Sequence, residues 1–156
     1  MVLYRERLWP APWLFISTAL IIPACILVFA PINMTVGIVL AVVLYAVCVW
    51  MLLTSAATIQ VTDETFSAGR ARIERSMIGD ALAFDGDEAT LQRGQKLDAR
   101  AWLLIRGWVK PVVKVALLDI NDPTPYWLIS TRRPSELVRV LSDLTGRRPN
   151  PQIERG

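Results

Sequence analysis

The sequence predicts an α+β membrane protein, in which a transmembrane hairpin of two helices precedes a small β-rich domain that ends in one helix. No Asp, Glu, Lys or Arg occurs in the 55 residues from Leu8 to Thr62, and a lipid bilayer explains so long a charge-free stretch better than a protein interior does. Short apolar runs separated by turn residues follow it, as in a small sheet. The last regular stretch has the spacing of an amphipathic helix.

Composition narrows the function classes. After Thr62 lie 13 of the 14 acidic residues and 15 of the 17 basic residues. The pI of 9.2 therefore describes a mildly basic domain and not a nucleic-acid binder. Histidine is absent, which removes the commonest general base and zinc ligand. Cys25 and Cys48 both lie in the apolar stretch and predict no disulfide framework.

Two membrane spans are predicted within the apolar stretch. Pro12, Pro31 and Asn33 divide it into helices over residues 13–30 and 34–53, which reach about 27 and 30 Å, the thickness of a hydrocarbon core. The hairpin as a whole covers residues 13–53.

Several residues inside the spans bear on their packing and processing. Pro23 is expected to kink the first helix because it removes a backbone hydrogen bond. Gly37 and Ala41 form a small-residue pair that is expected to pack within the chain. A lipoprotein-type cleavage before Cys25 is the competing interpretation, and the uninterrupted hydrophobicity after Cys25 speaks against it.

The distribution of arginine predicts the orientation. Basic residues flank the two spans but are absent from the turn at 31–33. Arg5 and Arg7 precede the first span, and the second span is followed by Arg70, Arg72 and Arg75. The positive-inside rule therefore places both termini in the cytoplasm. We expect a multi-pass protein of the inner (plasma) membrane with a cytoplasmic N-terminal segment at 1–12.

The cytoplasmic domain is predicted to occupy residues 54–146. Alternating patterns predict strands at 58–62, at 65–73 with a bulge or bend at Gly69, more weakly at 76–84, and at 126–130. Residues 85–96 are predicted to be a loop with one helical turn over 88–92. Runs at 99–106 and 112–118, separated by turn residues at 107–111, predict a hairpin.

A C-terminal helix over 134–145 closes the domain. Pro134 suits a first-turn position, and Leu137, Leu141 and Leu144 form one apolar stripe that ends at Gly146. Residues 147–156 are predicted to form a disordered tail. Short strands closed by one helix suggest a pleckstrin-homology-like (PH-like) barrel or curved sheet, an analogy of fold that assigns no ligand.

Three sequence motifs resemble a known family. They are Tyr4-Arg5-Glu6-Arg7-Leu8-Trp9-Pro10, Ala68-Gly69-Arg70-Ala71-Arg72-Ile73, and the stretch from Asp122 to Pro134 that reads DPTPYWLISTRRP. The chain is similar over nearly its whole length to the actinobacterial membrane proteins grouped as domain of unknown function 3093. The resemblance implies a two-span anchor and a small cytoplasmic domain, with no assigned activity, cofactor or catalytic residue.

No set of residues predicts a reaction. The stretch from Asp85 to Glu88 resembles the start of a calcium loop, but its twelfth position is Lys96, where a bidentate Glu is needed. No zinc set, activated nucleophile or phosphate-binding glycine loop can be assembled. We therefore expect no enzyme activity, no metal and no cofactor.

A basic and aromatic set is the main candidate for binding. Its members are Arg70, Arg72, Arg75, Arg106, Trp108, Lys110, Arg132 and Arg133, with Lys114 nearby. They either converge on a surface that faces the membrane or a partner, with Trp108 at an exposed hairpin tip, or form ordinary solvated sheet faces with Trp108 and Trp127 in the core.

The sequence thus predicts a non-enzymatic integral membrane protein whose interaction domain binds a protein partner at the membrane. One alternative is direct recognition of anionic lipid headgroups. Another is an accessory subunit of a larger membrane complex. Transport is disfavoured because two charge-free spans offer no path for an ion, and no nucleic-acid partner is expected.

Overall fold

The computed structural model describes residues 1–119 and 121–146. The chain is α+β and divides into two compact units, one of them Trp9–Ala56 and the other Met1–Leu8 together with the described residues from Ala57 onward. The predicted tail at 147–156 lies outside the described residues.

The first unit contains the apolar helices. They are α1 (Pro12–Ala19), α2 (Ile21–Phe29) and α3 (Met34–Thr54). The break between α1 and α2 is the kink that Pro23 predicts, because its ring cannot donate to the carbonyl of Ala19. By length and composition alone, Pro12–Phe29 and Met34–Thr54 are each able to cross a membrane.

The helices of this unit pack through small residues. Gly37 and Ala41 are the buried residues of α3, and a Cβ atom added to Gly37 would lie 2.9 Å from the Cβ atom of Phe29. The Asn33 side chain caps α3 by accepting from the backbone N–H of Thr35 at 3.0 Å and of Val36 at 3.2 Å. The expected packing of the small pair within the chain is confirmed.

The second unit begins with an antiparallel four-stranded sheet, sheet A. Its strands, in spatial order, are β1 (Val2–Arg7), β2 (Thr58–Thr62), β3 (Thr65–Ala68) and β4 (Ala71–Glu74). Residues 1–12, predicted only as a flanking segment, thus contribute a strand to the domain. Ala68 pairs with Ala71 across a two-residue turn, in which Gly69 has φ +63. The single strand predicted over 65–73, with a bulge or bend at Gly69, is therefore two antiparallel strands, because positive φ at the first turn position makes a hairpin.

Sheet B has four strands in the order β5, β7, β8, β6. They are β5 (Ile78–Phe84), β6 (Trp102–Leu104), β7 (Val112–Leu117) and β8 (Tyr126–Ser130). β7 pairs antiparallel with β5 and β8, whereas β6 pairs parallel with β8. The predicted hairpin between 99–106 and 112–118 is therefore wrong, because those two runs are not neighbours in the sheet.

Two helices complete the unit. α4 (Gly86–Arg93) occupies most of the predicted loop and begins at Asp85, whose side chain accepts from the Gly86 N–H at 2.7 Å. α5 (Pro134–Thr145) lies where a helix was predicted and ends at Gly146, which has φ +71. Leu137, Leu141 and Leu144 of α5 are buried.

The hydrophobic core lies between the sheets. The inward residues of both sheets and of α5 form one cluster, while α4 and the segments around it cover the other face of sheet B through Ala89, Val112 and Leu128. Within the described part of this unit, the outer face of sheet A carries no further layer.

Candidate functional site

A buried carboxylate lies on the inward side of β1. Glu6 is only 6% exposed, and it accepts hydrogen bonds from the Tyr4 hydroxyl at 2.7 Å, the Thr131 hydroxyl at 2.5 Å and the Arg132 backbone N–H at 2.9 Å. Tyr4 and Glu6 share a face because side chains alternate along a strand. These bonds join β1 to the connection between β8 and α5.

The groups around Glu6 complete a polar network that we call the Glu6 cluster, made of Tyr4, Glu6, Thr131, Arg132 and Arg133. Thr131 is fully buried and accepts from the Arg133 N–H at 3.1 Å. The Arg133 guanidinium lies 5.1 Å from the centre of the Tyr4 ring, within the range of a cation–π contact. Burial raises the pKa of the Tyr4 phenol, so Tyr4 stays protonated and donates to Glu6.

The cluster has the chemistry of a structural tie. Its carboxylate is occupied by three donors of the same chain, and buried carboxylates need such donors to offset their lost hydration. Among residues 1–119 and 121–146, no three His, Cys, Asp or Glu side chains are grouped to hold a metal ion.

Four exposed arginines lie on the outer face of sheet A or in the turn beside it, and we call them the arginine face: Arg5, Arg7, Arg70 and Arg72. One cross-strand row runs from Arg5 through Gln60 and Ser67 to Arg72. Arg7 pairs with Thr58 at the end of the sheet where β1 leads into the apolar stretch, and Arg70 occupies the nearby turn between β3 and β4. Positive charge thus collects toward the end at which the chain enters and leaves its helices.

The opposite end of sheet A is acidic. Asp63 and Glu64 form the turn after β2, Glu74 ends β4, and the N-terminal amine pairs with Asp63. A groove of about 690 Å³ opens there, which we call the distal groove, and its lining comprises Asp63, Glu64, Thr65, Glu74, Arg75, Ser76, Ile78, Leu118 and Thr145.

The predicted basic and aromatic residues occupy several places. Arg70 and Arg72 lie on the arginine face, and Arg132 and Arg133 belong to the Glu6 cluster. Arg75 lines the distal groove, at the other end of the sheet. Arg106 and Lys110 flank the connection from β6 to β7, where the Arg106 N–H donates to the Ser130 hydroxyl at 3.1 Å. Lys114 lies 4.1 Å from the centre of the Tyr126 ring.

Trp108 of the candidate set is not a surface anchor, and neither is Trp127, which the alternative interpretation placed in the core beside it. Trp108 is half-buried and contacts the main hydrophobic cluster, so its predicted place at an exposed hairpin tip is wrong. Trp127 is 4% exposed and packs in the core. The alternative that placed both residues in the core is the better description.

Comparison with known proteins agrees with the sequence motifs. A family model described as a protein of unknown function (DUF3093) matches residues 3–141. The chain belongs to that family. The match begins in β1 and ends within α5, so it spans both halves of the Glu6 cluster. Searches of curated proteins and of solved structures found no significant match.

Sequence reasoning missed Tyr4, Glu6 and Thr131 as a cluster. Two of the three motifs by which the chain resembles DUF3093 contain these residues, at Tyr4 to Pro10 and at Asp122 to Pro134. The structure shows why both stretches matter together, since their side chains meet across 125 positions of sequence. An acidic residue at an inward position of an alternating segment was the available signal.

Proposed function

We propose that this protein is a two-span integral membrane protein that holds a small cytoplasmic interaction domain at the membrane. The pairing of β1 with β2 carries the proposal, because the strand before the apolar helices and the strand after them are adjacent. The Leu8 N–H donates to the Ala57 carbonyl at 2.8 Å, so the apolar stretch starts and finishes at one place. A chain that returns to its starting side crosses a bilayer an even number of times.

The helices have the dimensions that this topology needs. Helical segments of 18 and 21 residues are about 27 and 31 Å long, close to the thickness of a hydrocarbon core. Arg5, Arg7, Arg70 and Arg72 all belong to the domain side, while the turn at 31–33 has no basic residue. The positive-inside rule supports a domain in the cytoplasm.

We infer that the domain has a PH-like fold and that it binds a protein partner. Two sheets that share a core with one C-terminal helix support a PH-like arrangement, although the parallel pairing of β6 with β8 is an added feature. The distal groove is the surface that best suits a protein partner. Asp63 is paired with the N-terminal amine and Arg75 adds one positive charge, but Glu64 and Glu74 supply negative charge beside the half-exposed side chain of Leu118. This combination favours a basic segment with an apolar anchor.

The topology is tested by cysteine labelling in intact cells. Cys25 and Cys48 are first replaced by Ala, and one cysteine is then introduced as Ile32→Cys in the turn or Gln95→Cys in the domain. We expect an impermeant maleimide to label the Ile32→Cys protein in intact cells and the Gln95→Cys protein only after lysis. The reverse pattern contradicts the orientation, and extraction of the protein by carbonate contradicts the anchor.

Partner binding is tested by site-specific photo-crosslinking in cells. A photoreactive residue at Ser76, in the distal groove, should capture a discrete protein, whereas one at the exposed Gln95 should not. The double variant Glu64→Lys/Glu74→Lys should abolish the product. Equal capture from both positions, or capture that survives charge reversal, rejects the groove as the partner site.

A further inference from the structure

We propose that the arginine face binds the headgroups of anionic phospholipids. The inference rests on the membrane anchor of the proposed function and names a second binding surface, separate from the distal groove. It follows from where Arg5, Arg7, Arg70 and Arg72 lie along the strands.

The covalent chain keeps these arginines close to the start of the first helix. Arg7 precedes Pro12 by five residues, so the two lie at most about 18 Å apart even along a fully extended chain. Arg70 is in the turn next to Thr58, which pairs with Arg7 and follows the last helix by four residues. The electrostatic attraction of an anionic bilayer is strong only within about a Debye length of 8–10 Å.

The pairing rows of the face leave Arg5, Arg70 and Arg72 available to an external anion. Gln60, Ser67 and Thr58 are neutral and occupy the positions between the arginines. Within the described residues, Arg5, Arg70 and Arg72 form no ion pair.

Glu74 lies on the same face as Arg72, two residues farther along β4, where it pairs with Thr65 at the acidic end of the sheet. In sheet A, Asp63, Glu64 and Glu74 lie at the far end of the strands, and Glu6 points inward. The acidic first turn of α4 belongs to the helix that covers the other sheet. Charge is therefore polarised along sheet A, with the positive end at the strand ends that connect covalently to the apolar stretch, a charge that complements an anionic membrane surface.

The surface chemistry selects a lipid over a protein as the occupant. A row of arginines separated by small and polar side chains offers forked donors that match phosphate oxygens. The same rows offer no aromatic or large aliphatic anchor, which protein interfaces use at their centres. The short covalent connection between Arg7 and the first apolar helix also favours an occupant that belongs to the membrane.

The test uses the full-length protein in a mild nonionic detergent, titrated with short-chain phosphatidylglycerol or phosphatidylcholine and followed by native mass spectrometry. The variant Arg5→Gln/Arg70→Gln/Arg72→Gln removes three charges from the face. The matched control, Arg100→Gln/Lys110→Gln/Arg139→Gln, removes three exposed charges elsewhere.

We expect phosphatidylglycerol to bind the wild-type and control proteins and to bind the face variant about a hundred-fold more weakly, roughly five-fold for each arginine. Added salt should weaken binding, and phosphatidylcholine or free glycerol phosphate should not replace phosphatidylglycerol. Equal losses of phosphatidylglycerol affinity in the two variants indicate an effect of net charge and overturn the inference. Capture of a protein by a photoreactive residue at Ser67 also overturns it.

Two measurements separate this inference from the anchor. Circular dichroism and the unfolding midpoint show whether each variant is folded. Carbonate extraction reports on the helices alone. A protein that resists carbonate but does not distinguish the two lipids overturns only the lipid inference, whereas extraction by carbonate removes the membrane anchor on which it rests.

Discussion

Replacing Glu6 tests whether the buried carboxylate joins β1 to the rest of the domain. The substitution Glu6→Ala removes the acceptor of three hydrogen bonds and leaves the Tyr4 and Thr131 hydroxyls and the Arg132 N–H without it. We expect the free energy of unfolding of the domain to fall by about 2–4 kcal/mol, because the Arg132 N–H loses this acceptor and the Tyr4 and Thr131 hydroxyls, 3.3 Å apart, retain only each other.

The isosteric substitution Glu6→Gln separates charge from shape. A glutamine can accept from the Arg132 N–H and donate to the oxygens of Tyr4 and Thr131, since hydroxyl groups act in both directions. It loses only the strengthening that a negative charge gives each bond, so the expected cost is about 1–2 kcal/mol. Arg5→Ala, at the exposed neighbouring position of the same strand, should stay within about 0.5 kcal/mol of wild type.

Denaturant unfolding of the full chain in mild detergent, with hydrogen exchange at the backbone amides of β1 and β2, measures these effects. Loss of protection should begin in β1, because the cluster ties that strand to Thr131 and Arg132. For a domain of this size, about 3 kcal/mol corresponds to a fall in melting temperature on the order of 12 °C. If Glu6→Ala is no more destabilising than Arg5→Ala, the cluster does not hold the strand and the reasoning is wrong.

Three further substitutions test other parts of the chain. Gly37→Leu should destabilise the helical hairpin by about 1–3 kcal/mol through overlap with Phe29, whereas Val42→Leu on an exposed side should not, measured by thermal unfolding in detergent. Gly69→Val should cost about 1–3 kcal/mol because φ is positive there, and Gly69→Asn clearly less, measured by the denaturant midpoint. Burial raises the pKa of Tyr4, so its contribution is complete below about pH 10, the unfolded value, and decreases above it. The Tyr4→Phe variant should therefore lose less stability than wild type between pH 8 and 11.

The elements that could be predicted from sequence are those whose hydrophobic pattern and flanking turn residues identify them without knowledge of a distant partner. β2 at Thr58–Thr62 and β8 at Tyr126–Ser130 have the predicted bounds, because alternation or a short apolar run needs no knowledge of a partner. α5 at Pro134–Thr145 does too. The two apolar helices follow from the absence of charge and from proline, which are equally local signals.

The misassigned elements depend on distant partners. β6 is only three residues long and pairs in parallel with β8. A prediction from local pattern alone pairs it with β7, the next strand in the sequence. From sequence, β1 is interpreted as a basic flank because Arg5 and Arg7 directly precede the apolar stretch, and only pairing with β2 reveals which face is inward. A buried carboxylate is rare without partners, and its donor Thr131 is unrecognisable until the fold brings it close.

On the proposed topology, the β1–β2 pairing makes folding of the domain depend on insertion of both helices. β1 is synthesised first, but its partner Thr58 follows Arg7 by 51 positions. Closing a flexible loop of that length would cost about 3.5 kcal/mol in chain entropy. Helices held together at Gly37 and Phe29 remove most of that freedom before β2 emerges. The Glu6 cluster needs Thr131 and Arg132 as well as β1, so prior closure of the apolar hairpin lowers the entropic cost of completing the domain.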